Sequence, residues 1–580
     1  MVRTRKFQMR SHPSRSKVRR VRGRRDSQAS APAPTASDTP EELGPQPLSK
    51  REAQARDRAA AKAKRALIQY TVGAIIFSGL VALLVGIFLE PKLGVGALVA
   101  LLCLTLSFKY PRQAIFAFII YLPFSGTVTY ALGGSSILQL AKDAIYIPAL
   151  IGVFQFCQRK RQPFILPNSI KAPLAILLTI SVMTLLFVNG PQQLASGGSE
   201  KPILMGILGL KILLGYLPLI PCIYYLIRNR EDLYFLLRVQ VVLVIACCAL
   251  GLLQYLMLKT GQCQGTTGTG EQLFKASLDA RCFVGGSLLY SPEHGQIRLP
   301  GTFVAPWQWG WFLISSGFFG FGTAFSDRSP FWRLIGLISL VSVAVLAVVS
   351  GQRIALIMVP ITVVGLLILT GQVANLKRFI PVGIGLGFIL TVLMIRNPAI
   401  VNERIASFQA RWEASPPHEF VMQQLQWAME NQEGILGRGL GRGTNAARIF
   451  GETSLIETYH SKLLFEIGPL GILAVLGLYT VLTIATFKAY RSIKDPNLRG
   501  YAASMWVFVL FISYFPYYYP LDVDPVNVYY WLAAGITLKL PEIDKQERIR
   551  QRLEALAQKR KLSPRELKQL QAQVTAGDFG

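Results

Sequence analysis

Charge is scarce in this chain, and negative charge is scarcer still. Only 16% of its 580 residues are charged, and 61 Lys and Arg stand against 32 Asp and Glu. A water-facing surface draws on about a quarter charged residues, so an ordinary soluble protein is excluded. Seven cysteines in this length exclude a disulfide scaffold. His-Glu-x-x-His, Cys-x-x-Cys and the phosphate-loop sequence are all missing, so nothing points to zinc or ATP. What is plentiful is apolar: 51% of the residues are hydrophobic, too many for a disordered chain. The composition is that of a polytopic membrane protein.

The net charge of +29 is uneven. Residues 1–65 carry 18 Lys or Arg and six acidic residues, and 541–580 carry nine and six, so the two ends contribute +12 and +3. The N-terminal stretch has no aromatic interleaving and runs into an apolar segment. It reads as a disordered basic cytoplasmic tail attracted to anionic lipid headgroups, with no nucleic-acid partner. Its polar length before any apolar run excludes a signal peptide. Residues 541–580 read as a charged cytoplasmic tail.

About 20 apolar residues in a helix cross a hydrocarbon core. By that measure, spans are expected near 66–89, 94–107, 113–130, 137–157, 172–189, 203–226, 234–258, 303–325, 334–350, 354–371, 380–396, 461–487, 501–519 and 528–540, giving an all-α bundle of about 12–14 spans. With the N-terminus inside, the inner connections hold sixteen Lys or Arg and the short outer ones three: Lys92, Lys201 and Arg353. The bias toward the inside predicts that both termini are cytoplasmic. The domain organisation expected is therefore a tail (1–65), N-terminal spans (66–258), a large outer loop (259–302), further spans (303–396), a second large loop (397–460), C-terminal spans (461–540) and a tail (541–580).

Long loops are usually functional. The second has helical patterning at Asn402–Glu413 and His418–Asn431, which predicts a partly helical region on the outer face. The first holds Cys263 and Cys282, the two cysteines outside the spans. In an oxidising compartment a bond between them would close a ring worth about 3 kcal/mol.

Ionisable residues inside spans are costly, and Lys142, Asp143, Lys211, Arg238 and Glu466 are among the few here. A richer set gathers at the outer boundary: Arg298, Arg353, Arg438, Arg442 and His460. Arg298 lies in Arg-Leu-Pro-Gly-Thr-Phe, Arg353 in the turn Ser-Gly-Gln-Arg-Ile-Ala, and His460 in Glu-Thr-Tyr-His-Ser-Lys at the end of the second loop. Glycines 434, 437, 439, 441 and 443 surround Arg438 and Arg442. Guanidinium forks bind phosphate oxygens bidentately and stay charged. Glycine-rich backbone can approach such a group closely, and a histidine can take a proton from an attacking hydroxyl. The same types also serve as interfacial anchors, turns and caps. Asp522-Val-Asp524 has a spacing that some sugar transferases use for a metal, but it reads better as a polar turn.

In order and type, these segments resemble the O-antigen ligase and O-antigen polymerase superfamily of bacterial membrane glycosyltransferases, over roughly residues 298–480. Arg298-Leu-Pro-Gly-Thr-Phe-Val-Ala-Pro306 is similar to an Arg-x-x-Gly-Thr-Phe-x-x-Pro motif, and Ser350-Gly-Gln-Arg353 to a Ser-x-Ser-Arg turn. His460 leading into Glu466-Ile-Gly468-Pro-Leu-Gly471 resembles His-Asn…Glu-x-Gly-x-x-Gly, with Ser461 in place of Asn. The resemblance implies a bundle of the GT-C-like type in the bacterial inner membrane. It also implies metal- and cofactor-independent, inverting transfer of an undecaprenyl-pyrophosphate-linked glycan to a glycan or lipid acceptor at the periplasmic face. By that resemblance Arg298 and Arg353 would bind pyrophosphate and His460 would act as base; Arg438, Arg442 and Glu457 are candidate accessory groups by their place at the same boundary. Other polysaccharide-assembly proteins are the implied partners. Ligase and polymerase both remain open. So does a multi-pass solute (bicarbonate-like) transporter, for which Lys142, Asp143 and Lys211 would line the path.

Overall fold

A computed structural model describes residues 50–88, 91–131, 141–165, 167–263, 282–285, 289–291, 296–372 and 416–560, with isolated positions between 384 and 413. Contacts group Met1–Ala61 separately from Lys62–Gly580, and every element after α1 belongs to the second unit.

The described chain is helical apart from one short hairpin. Its helices are α1 Lys50–Phe88, α2 Pro91–Lys109, α3 Pro111–Tyr121, α4 Ser125–Ala131, α5 Ala141–Arg159, α6 Asn168–Thr184, α7 Gly190–Ala195, α8 Pro202–Leu214, α9 Leu219–Leu226 and α10 Arg230–Lys259. After the hairpin, β1 Leu289–Ser291 with β2 Gln296–Arg298, come α11 Pro306–Ser326, α12 Pro330–Val349, α13 Arg353–Leu369, α14 Pro417–Asn431, α15 Tyr459–Ser492, α16 Pro496–Tyr514 and α17 Val526–Arg560. Pro91, Pro111, Pro202, Pro306, Pro330, Pro417 and Pro496 each open a helix, where the fixed φ helps and the missing N–H costs nothing. Asn229 and Asp495 cap α10 and α16 through their side chains.

Six helices are long and apolar enough to cross a membrane: Lys64–Phe88, Pro111–Ala131, Asn168–Ala195, Arg230–Lys259, Pro330–Val349 and Tyr459–Ser492. The pair α8 and α9, bent by 42°, makes a seventh if it is one broken span. The protein is thus a multi-pass helical membrane protein. Where they are described, the expected apolar runs lie largely on helix, but fewer helices are long and apolar enough to cross than the 12–14 spans expected; 137–140 and, but for isolated positions, 380–396 lie outside the described residues. The expected helix Asn402–Glu413 also lies largely outside them, whereas His418–Asn431 corresponds to α14.

Two expectations need correction, while the expected charged tail from 541 onward continues α17 as helix to Arg560, supported by Asp544–Arg548 and Arg550–Glu554 pairs one turn apart. Residues 50–65 are not an unfolded tail, because α1 starts at Lys50, through an alanine-rich run that favours helix. The span expected at 501–519 ends at Tyr514, because Pro516 and Pro520 cannot continue a helix.

α11 is the hub, packed by α10, α12, α13 and α16. It is apolar on every side and almost wholly buried, as a helix with no water-facing stripe must be. Small residues let its neighbours approach: Gly336 of α12 lies against the Ala324 backbone, and Ser504 Oγ of α16 donates to the Phe318 carbonyl at 2.8 Å. At the periphery, α1 leaves Ile76, Leu83 and Phe88 more than half exposed, which suits contact with lipid.

Antiparallel packing brings the ends of α10, α12 and α16 together with the starts of α11, α13 and α15. The opposite end is tied by charge. Asp327, fully buried, accepts two bonds from Arg238 at 2.9 Å, and Asp495 receives Arg230 and Arg328.

Candidate functional site

Arg298 ends β2, and the next residues are bonded directly to the turn that carries Arg353. Leu299 N–H donates to the Ser350 carbonyl at 2.9 Å, and the Gln352 amide reaches the Leu299 carbonyl at 3.5 Å. Gly351 has φ 67°, which lets the chain turn sharply between α12 and α13, and Arg353 opens α13. The Gly-Thr-Phe that follows Arg298 has local reasons too. Gly301 has φ 56°, and any Cβ there would strike the Trp309 ring. The Thr302 carbonyl accepts from Thr127 N–H, and Phe303 is fully buried against Phe312 at 5.2 Å.

Cys263 and Cys282 form a disulfide, with Cα atoms 5.6 Å apart. Leu258, Cys282 and Leu299 pack as one small cluster with Val349 beside them, so the crosslink abuts both arginine-bearing segments.

The histidine segment enters alongside the chain that leaves α16. Thr458 pairs antiparallel with Tyr517, and Tyr459 N–H donates to the Pro516 carbonyl at 3.3 Å. His460 is half-buried, and its ring meets the Ser513 backbone. Its Nε2 is buried with no hydrogen-bond partner among the described residues.

Glu457 links the three segments. Its N–H donates to Gln424 Oε1 of α14 at 2.9 Å. Burial pushes its carboxyl above the usual carboxylate range, and Arg298 pulls it back. The Tyr517 hydroxyl is pushed up to about 12, first by burial and then by Tyr518 and Glu457, with Arg353 opposing. Arg298, Arg353, Glu457 and Tyr517 therefore share one electrostatic environment.

Arg438 and Arg442 are engaged differently. Arg438 pairs with Glu433 at 2.6 Å. Arg442 pairs with Glu200 at 2.8 Å and donates to Gln192 Oε1 and the Glu452 carbonyl, holding Glu200 below the usual carboxylate range. Their loop serves the helix beside it. Pro469 has no N–H for the Phe465 carbonyl, and Gly468 (φ 68°) kinks α15; Arg438 and Gly439 N–H groups satisfy the Phe465 and Glu466 carbonyls instead, at 2.8 and 3.0 Å. Glu466 Oε1 in turn accepts from Gly443 N–H and Thr444 Oγ1, at 2.8 and 2.9 Å. Buried Asn189 closes the strap, accepting from Leu440 N–H and donating to the Pro202 and Leu440 carbonyls. The glycine density thus reflects close backbone packing.

Asp522 and Asp524 are each held by a lysine, Lys462 and Lys142 respectively, and Lys211 pairs with Asp143 at 2.8 Å. Among the described residues no three or more His, Cys, Asp and Glu side chains cluster as metal ligands would.

Sequence reasoning missed Tyr517–Tyr519 and Gln424. The tyrosines fall within the expected span 501–519, and the pairing that turns them toward Glu457 is a tertiary contact. The chain matches none of the known family models and no curated protein.

Proposed function

We propose that the protein is a membrane glycosyltransferase that transfers or polymerises a polyprenyl-pyrophosphate-linked glycan, of the O-antigen ligase and polymerase kind. The observation that carries this reading is the buried Nε2 of His460, without a hydrogen-bond partner among the described residues, in a segment whose Glu457 feels Arg298 and whose neighbour Tyr517 feels Arg353. An imidazole that gives its proton to a carbonyl keeps its other nitrogen as an acceptor, and the Ser513 backbone offers that carbonyl. Nε2 would take the proton of the acceptor hydroxyl as its oxygen attacks the anomeric carbon from the face opposite the pyrophosphate, inverting it. The bond from that carbon to the pyrophosphate oxygen breaks, and Arg298 and Arg353 stabilise the departing charge through fixed guanidinium forks, with no metal required.

The arrangement we infer is a bundle of 12–14 spans of GT-C-like type in a bacterial inner membrane, with both termini cytoplasmic and the site at the periplasmic face. The donor would be an undecaprenyl-pyrophosphate glycan and the acceptor a glycan or lipid. The paired Lys142, Asp143 and Lys211 are what a solute transporter would need along its path, and their partners also explain them as cross-ties between helices.

His460→Ala, Arg298→Ala and Arg353→Ala are expected to abolish surface-glycan assembly in cells while membrane insertion persists, and Arg353→Lys to fail as well, since an ammonium lacks the fork. Normal glycan ladders in the alanine variants would remove the enzyme reading. Unchanged ladders together with lost solute uptake on Lys211→Ala would favour the transporter.

A further inference from the structure

The chain that leaves α16 runs through Pro516, Tyr517, Tyr518, Tyr519 and Pro520 and does something bulky residues rarely do. Tyr518 has φ 55° and Tyr519 φ 27°, two consecutive left-handed positions without glycine. Such conformations persist only where the surroundings over-determine them, and they concentrate at binding and catalytic sites. Here the surroundings are visible. Trp311 Nε1–H, from the buried hub helix, donates to the Tyr518 carbonyl at 3.0 Å, and Thr458 and Tyr459 pair with Tyr517 and Pro516.

The strap presents half-buried aromatic rings next to hydrogen-bonding groups. Tyr517 meets Phe420 of α14 edge-on at 5.6 Å and Tyr518 at 4.6 Å. The Glu457 carboxyl and the Arg353 guanidinium both act on its hydroxyl, and Gln424 is bonded to the Glu457 backbone. A tyrosine that merely anchors a helix at the lipid boundary needs none of this. Tyr514, still on α16 and 42% exposed, fits that description, and Tyr517 does not.

A pyranose ring has an apolar face of C–H groups and a rim of hydroxyls. It is recognised by an aromatic face flanked by carboxylate and amide groups, where ring contact supplies area and polar groups fix orientation. We propose that Tyr517, supported by Phe420, Tyr518 and Tyr519 and edged by Glu457 and Gln424, is a saccharide subsite holding one sugar of the glycan beside the reacting centre. The subsite rests on the glycosyltransferase reading and names where that substrate's sugar sits. Its ring does the binding, and its distorted backbone sets the ring's position relative to His460.

Binding to the purified full-length protein in nanodiscs tests this with two probes: inorganic pyrophosphate, and soluble oligosaccharides cut from the surface polysaccharide of the producing cells. Tyr517→Ala should weaken oligosaccharide binding about tenfold and leave pyrophosphate binding unchanged. Tyr517→Phe should keep both, because the ring face and not the hydroxyl carries the contact, and Arg353→Ala should weaken pyrophosphate binding alone. Thermal unfolding of each variant confirms that it is folded; if Tyr517→Ala is not, the same split is required of Tyr517→Leu. Oligosaccharide binding that is absent in the parent protein, or unaffected by loss of the ring, overturns the subsite. If loss of the ring instead weakens a short-chain prenyl pyrophosphate and spares oligosaccharide, the strap is a lipid groove and the proposal is wrong. Failure of pyrophosphate to bind the parent protein would be a separate result, against the glycosyltransferase reading itself.

Discussion

Glu457 shows how much one side chain can report. It lies three residues before His460, on the extended chain that leads into α15; Arg298 lowers its proton affinity, and burial raises it by more. A carboxyl whose folded pKa exceeds its unfolded value binds its proton more tightly when folded, so the folded state loses stability as pH rises from the usual carboxylate value through the raised one. Thermal stability in detergent, followed across that acidic window, should therefore fall with pH, and Glu457→Gln should flatten the dependence. Arg298→Ala removes the opposing charge, so it should move the same transition to higher pH. An unchanged profile in both variants would mean that the carboxyl and the guanidinium do not share an environment. Arg442 pairs with Glu200 and donates to Gln192, so Arg442→Ala should cost loop attachment more than phosphate recognition.

Among elements, the segment around Arg298 is the least self-sufficient. A hairpin of two three-residue strands cannot hold a guanidinium in place alone. Three outside contacts do so: the Ser350 turn, Thr127 from α4, and the Cys263–Cys282 crosslink to the end of α10. Losing the crosslink should lower stability by about 3 kcal/mol on the loop-closure argument. Paired Cys263→Ser and Cys282→Ser substitutions, or mild reduction, should lower the melting temperature and weaken pyrophosphate binding together. A lower melting temperature with intact pyrophosphate binding would confine the disulfide to a purely structural role. α15 is the complementary case, a helix broken by Gly468-Pro469 and repaired by Arg438 and Gly439 from a loop about thirty residues earlier.

At the scale of the whole molecule, alternation of helix direction places every motif segment at one end and the Asp327 and Asp495 networks at the other. The excess of basic residues in short connections predicts which end faces the cytoplasm. In spheroplasts, a membrane-impermeant maleimide should label Ser199→Cys, on the motif side, without permeabilisation, and Ser492→Cys only after it. The reverse pattern would invert the topology and put the candidate site on the wrong side for a periplasmic donor.

Much of this was readable in one dimension because the determinants are local. Apolar runs of helical length, prolines that open helices and the sign of charge between them depend on neighbouring residues alone. Hence the helical membrane bundle and the helix at Pro417–Asn431 could be read before any coordinates. What the third dimension decided were matters of partnership. The glycines around Arg438 and Arg442 could cradle a phosphate or pack on a helix, and only the unsatisfied carbonyls opposite Pro469 choose between these. Asp522 and Asp524 could hold a metal or a lysine, and the lysines lie 60 and 382 residues away. Three tyrosines at the end of an apolar run became a strap beside a carboxylate because two prolines ended the helix and a distant tryptophan held the turn. The span pattern follows from each residue's affinity for lipid or water, whereas the role of a polar group depends on what other parts of the chain bring within hydrogen-bonding distance.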